Sequence, residues 1–94
     1  MEDKTRILVV DDEKSTRDLY IKIFKSKGDL HLDTAENGSA AYKKIKKAKP
    51  DIILCDLYMP RMDGLELCKK IKSDPELESI YFIIISSEDS EEAK

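Results

Sequence analysis

Three short, unbroken apolar runs, each closed abruptly by polar groups, constrain this chain more than any other feature. Ile7-Leu8-Val9-Val10 stops at Asp11-Asp12-Glu13, Ile52-Ile53-Leu54-Cys55 stops at Asp56, and the run from Ile80 to Ile85 stops at Ser86-Ser87. Continuous rather than alternating apolarity marks strands covered on both faces, the habit of parallel sheets. Between the runs the pattern becomes helical. Leu19/Ile23 and Tyr20/Phe24 sit four residues apart within a segment from Lys14 to Lys27, and Gly28 is placed to close it. Leu30 and Leu32 alternate with His31 and Asp33 in a further strand that ends before the Asn37-Gly38 turn signal. Ser39 can cap a second helix running to about Lys47, and Pro50 forbids its continuation. A third helix carries Leu65, Leu67, Cys68 and Ile71 and ends near Ser73-Asp74-Pro75; a fourth begins at Ser87 as the sequence ends. Strand and helix in strict alternation mean βαβ units, hence an open, doubly wound α/β parallel sheet with helices on both faces.

Composition narrows the function classes. At 94 residues the sequence fits one domain, spanning 1–94, and 40% hydrophobic content with a formal charge of −3 argues against disorder. The longest apolar run, Ile80 to Ile85, is far short of the roughly 20 residues that cross a bilayer. Met1 is followed by Glu2-Asp3-Lys4 rather than a basic head and an apolar stretch. The expectation is a cytoplasmic domain with no membrane contact, and mild acidity gives no reason to expect direct nucleic-acid binding. Cys55 and Cys68 are too few for a disulfide framework or a zinc site and are expected to be buried thiols. Lys43, Lys44, Lys46, Lys47 and Lys49 flank the apolar positions Ala41 and Ile45 and read as the solvated face of the second helix.

The chemistry should sit where the apolar runs stop, because open α/β sheets bind ligands beyond the carboxyl ends of their strands. Asp63 and Ser39 are adequately explained as helix caps or turn formers. Asp11, Asp12 and Asp56 are not, since adjacent parallel strands lie about 4.8 Å apart and would crowd three carboxylates together. Their repulsion calls for protons or a divalent cation, and oxygen-only ligands at a partly hydrated site favour Mg²⁺ or Mn²⁺ over zinc.

The chain resembles the receiver domain of two-component response regulators. The residues that carry the resemblance are Ile7-Leu8-Val9-Val10-Asp11-Asp12-Glu13, Ala35-Glu36-Asn37-Gly38, Pro50-Asp51-Ile52-Ile53-Leu54-Cys55-Asp56-Leu57-Tyr58-Met59-Pro60, Met62-Asp63-Gly64 and the strand ending in Ser86-Ser87. The resemblance implies a flavodoxin-like sheet of order 2-1-3-4. It makes Asp56 the phosphoacceptor for a sensor histidine kinase or a histidine phosphotransfer protein. It also implies that Asp12, Asp56 and the backbone carbonyl of Tyr58 ligate Mg²⁺, with Asp11 acting through water. Ser86 would donate a hydroxyl hydrogen bond to the phosphoryl group, small Ser87 would leave the approach open, and Tyr58 and Glu88 would tune dephosphorylation.

Receivers of this kind continue with the rest of a fourth helix, a fifth strand that ends in a lysine and carries a switch aromatic, and a fifth helix. The 94 residues stop before that segment, and a cut from a longer protein is the expected reason. Two consequences are expected: a fourth strand left at the sheet edge, able to pair with a second copy through Tyr81–Ile85, and an uncovered apolar patch beside Leu19/Ile23. The leading reading is a signalling module rather than a turnover enzyme. The alternative is a receiver-like interaction or dimerisation module that cannot be phosphorylated. A Mg²⁺-dependent phosphohydrolase ranks last, because Tyr58 stands where an acid–base aspartate would be needed.

Overall fold

The apolar runs become the strands of one parallel sheet. The computed structural model describes residues 4–57, 59 and 63–85. In chain order the elements are β1 (Thr5–Val10), α1 (Lys14–Phe24), β2 (Leu30–Ala35), α2 (Gly38–Lys47), β3 (Ile52–Asp56), α3 (Gly64–Lys72) and β4 (Tyr81–Ile85). All neighbouring strands run parallel in the order β2-β1-β3-β4, as the doubly wound reading requires. The predicted start of a fourth helix, from Ser87, falls outside the described residues.

Register determines which side chains share a face. Leu8 pairs with Ile53 and Ile53 with Phe82, while Val10 pairs with Cys55 and Cys55 with Ile84. Leu8, Val10, Ile53 and Cys55 pack with Ala41 and Ile45 of α2 and with Leu67 and Ile71 of α3 in the main core. The opposite face carries Val9, Leu54 and Ile83 in one row, and α1 covers part of it with Thr16 and Tyr20.

Burial is therefore uneven. All four apolar residues of β1, Ile7 to Val10, are buried, as a strand covered on both faces should be. The same pattern in β4 does not give the same burial: Tyr81 is 74% and Ile83 48% exposed, because α1 packs against β2 and β1, at the far side of the sheet from β4. Within α1 no residue is fully buried. Tyr20 and Phe24, ring centroids 6.3 Å apart, are half-buried and Tyr20 lines the groove between α1 and the sheet, whereas Leu19 (55% exposed) and Ile23 (51%) remain in solvent.

Several local expectations are corrected. Helix α1 ends at Phe24 with Lys25 still in the right-handed region at φ −56°, and a Cβ at Gly28 would meet nothing within 4 Å. Gly28 is a loop residue rather than the closing cap. Helix α2 is capped by Asn37, whose Oδ1 accepts from Ala40 N at 2.7 Å, and not by Ser39, which lies two residues later and already inside the helix. Cys55 is buried but Cys68 is only half-buried. The five lysines near α2 do stay exposed while Ala41 and Ile45 are buried. Lys44 Nζ nevertheless reaches back to Asp33 Oδ1 at 3.1 Å and the Thr34 carbonyl at 2.6 Å, tying α2 to β2.

The asymmetry is measurable. Truncating fully buried Ile45 to Ala should cost about 2–5 kcal/mol of unfolding free energy. Truncating exposed Leu19 to Ala should change it by less than about 0.5 kcal/mol. Urea titrations of both variants at equal concentration test the contrast.

Candidate metal centre

Backbone pairing brings the predicted carboxylates together. β1 and β3 are hydrogen-bonded neighbours with Val10 opposite Cys55, so Asp11 and Asp56 leave the sheet at the same level. Asp11 N donates to the Ala35 carbonyl at 3.1 Å, which extends the β1–β2 ladder by one step beyond the strand. Leu57 N donates to the Ile85 carbonyl at 3.0 Å and holds the end of β3 against β4 in the same way. Asp11, Asp12 and Asp56 each present a carboxylate oxygen, and these oxygens lie within 4.8 Å of one another. Asp12 is exposed, and Asp11 and Asp56 are half-buried.

The turn after β1 is closed by its own side chains. Asp11 Oδ1 accepts from Glu13 N at 2.9 Å, and the Glu13 carbonyl accepts from Thr16 N and Arg17 N, each at 3.2 Å, to start α1. Arg17 Nη1 donates to the Asp11 carbonyl at 2.7 Å. The loop after β3 is tightened by a close approach. Gly64 N donates to the Leu57 carbonyl at 3.2 Å, and a Cβ on Gly64 would stand 2.8 Å from the Asp56 carbonyl oxygen. Only glycine lets α3 begin so near the end of β3. Asp63 caps α3 by accepting from Glu66 N at 3.0 Å, which is the helix-cap role expected of it.

Charge crowding is visible at Asp11. Burial raises its pKa above the ordinary 3.8, and the neighbouring charges of Asp12 and Glu13 push the same way. The hydrogen bond from Glu13 N and the positive charge of Arg17 offset only part of this. Immediately beneath the site, burial and then the charge of Asp56 push the Cys55 thiol up to about 12, so it stays protonated and unreactive. A donor set made only of oxygens, partly open to solvent and carrying excess negative charge, fits a hard divalent cation and suits zinc poorly. From this cluster a groove of about 440 Å³ runs between Thr16 and Tyr20 of α1 and Val9, Leu54 and Ile85 of the sheet.

The structure thus brings together Asp11, Asp12 and Asp56, while Tyr58 and Ser86 fall outside the described residues. Sequence reasoning had no signal for Arg17, because its reach from α1 back to Asp11 depends on helix phase. The Gly64 approach was readable only as a loop glycine.

Comparison with known proteins decides the family. The Response regulator receiver domain family matches residues 7–94. The chain belongs to that family. It is 44% identical over 69 residues, 73% of its length, to the transcriptional regulatory protein ResD of Bacillus subtilis, and it spans only 28% of that protein. The receiver protein of Pseudomonas putida superposes with a TM-score of 0.84 at 27% identity, covering 99% of this chain and 77% of the other. The Mn(2+)-bound form of another response regulator superposes with a TM-score of 0.81 at 28% identity, covering 95% and 70%. The receiver fold and the association with two-component systems follow for this chain as well.

Asp11→Asn isolates the electrostatic part of the receiver site, since an amide oxygen can still accept from Glu13 N. An acid whose pKa is raised on folding costs stability once it ionises, so the loss grows as pH rises from 3.8 through the folded value. With metal chelated, the variant should be more stable at pH 7 by about 0.5–1 kcal/mol after allowance for solvent screening. The gain should vanish below pH 3.8, and denaturant titrations across this range test it.

Proposed function

We propose that this receiver, comprising residues 1–94, accepts a phosphoryl group on Asp56 from a phosphohistidine of a sensor histidine kinase or histidine phosphotransfer protein. The observation that carries the reading is the convergence of three carboxylates at the carboxyl edge of a parallel sheet. One Asp56 oxygen attacks phosphorus, the P–N bond to the imidazole breaks, and the imidazole nitrogen takes up a proton. The product is an acyl phosphate on the protein. Both the nucleophile and the donor are anionic, so positioning and charge neutralisation dominate over covalent help. A bound Mg²⁺ or Mn²⁺ supplies the charge that offsets this repulsion.

Asp12, Asp56 and the Tyr58 carbonyl would hold the cation, and Asp11 would act through water. Ser86 donates its hydroxyl to the transferred group. The roles of Tyr58 and Ser86 rest on the family resemblance alone. Phosphorylation changes the charge at Asp56 from −1 to about −1.5 to −2, a local change that a movable neighbour can report. The domain is a cytoplasmic switch rather than a turnover enzyme.

Intact-mass measurement after incubation with Mg²⁺ and a small acyl phosphate tests the reading. One retained phosphoryl group is expected, lost in Asp56→Asn and on metal chelation. No adduct would favour an interaction module that is not phosphorylated, and release of phosphate over many turnovers would favour a phosphohydrolase.

A second copy of the chain is a further proposed partner. Among the described residues β4 is an edge strand, and Tyr81 and Ile83 are the most exposed of its side chains. Such an apolar edge is a template for strand addition. Light scattering should find a dimer that Ile83→Lys returns to monomer; a monodisperse 10.8 kDa wild type would refute it.

A further inference from the structure

We propose that Arg17 is a positioning residue of the acidic site: its guanidinium clamps the peptide that joins Asp11 to Asp12 and so holds both carboxylates in place around the cation site. The proposal rests on the reading of this site as a divalent-cation centre.

The Asp11 carbonyl that accepts from Arg17 Nη1 at 2.7 Å belongs to the peptide unit linking the two acidic residues. A peptide unit is planar, so anchoring its oxygen fixes the directions of both flanking Cα atoms. Asp11 is already tied on its own side, through its N–H to the Ala35 carbonyl and through Oδ1 to Glu13 N. Among the described residues no hydrogen bond restrains the Asp12 side chain, which is exposed. The position of Asp12 is therefore inherited from the peptide that Arg17 holds.

Helix α1 makes the clamp rigid from the other end. The Glu13 carbonyl accepts the backbone N–H of Arg17 at 3.2 Å, so the arginine is fixed one turn above the residue it reaches past. Arg17 is half-buried rather than free in solvent. The bond itself is charge-assisted, which makes it shorter and stronger than a neutral one.

Two roles for Arg17 predict opposite signs. If it acted only as a positive charge near the site, removing it would tighten the binding of a dication. If it acts by position, removing it loosens binding, because the carboxylates lose their set geometry.

Mn²⁺ binding to the full chain, followed by electron paramagnetic resonance, reads the sign directly. Arg17→Met, which retains the apolar stem, should bind Mn²⁺ about 10-fold more weakly, the usual scale for groups that orient metal ligands. Arg17→Lys, which retains the charge and a donor, should recover part of the loss. Phosphorylation of Asp56 in Arg17→Met should be slowed at sub-saturating Mg²⁺ and restored at saturation, with little change in the metal-free melting temperature. Unchanged or tighter Mn²⁺ binding in Arg17→Met overturns the proposal. Should that variant fail to fold, Arg17→Lys binding no better than an unfolded control overturns it equally. A wild type that binds no Mn²⁺ overturns the metal-centre reading itself and the assignment of Arg17 with it.

Discussion

The parallel pairing of β1 with β3 is the constraint from which the rest of this receiver follows. Because Val10 lies opposite Cys55, the two strands end at one level, and the residues after them have no choice but to share space. The same register sorts the side chains into faces. Leu8, Val10, Ile53 and Cys55 are delivered to the α2–α3 core, and Val9 and Leu54 to the α1 side. One ladder thus builds the core and the site together, and a slip of one residue would invert both.

Stability and function pull against each other at the end of this ladder. Crowded carboxylates repel, and burial beneath them raises the Asp11 pKa and drives the Cys55 thiol to about 12. The fold tolerates that cost because the backbone around the site is over-determined. Ladder bonds from Asp11 N and Leu57 N, the Asx-type bond to Glu13 N, and the close seat of Gly64 on Asp56 restrain it from several directions. The consequence is a cluster of negative charge whose geometry is set in advance by the backbone around it.

Much of this is legible in the amino-acid sequence. Unbroken apolarity in Ile7–Val10 and Ile52–Cys55, each ended by aspartate, was enough to infer a parallel sheet with acidic residues at its carboxyl edge. Less legible was anything that depends on helix phase. The pairs Leu19/Ile23 and Tyr20/Phe24 have the same spacing and similar apolarity, and they lie one residue apart, about 100° around the helix. Only packing shows that Tyr20 and Phe24 are half-buried while Leu19 and Ile23 face water. Capping failed for a related reason. Asn37 and Ser39 are both competent caps, and the choice falls to whichever backbone is extended at the turn, here Asn37 at φ −160°.

The sequence by itself determined the sheet type, the strand boundaries to within a residue or so, and which carboxylates would gather, because all three are consequences of local hydrophobic run length and of where charge interrupts it. Tertiary structure alone decided how much of each strand is covered, which side of α1 is the inside, and that Arg17 turns back onto the Asp11–Asp12 peptide. Those outcomes depend on the relative rotation and reach of elements distant in the chain. No local pattern encodes that rotation, since a helix of this composition could present either stripe until the sheet beneath it selects one.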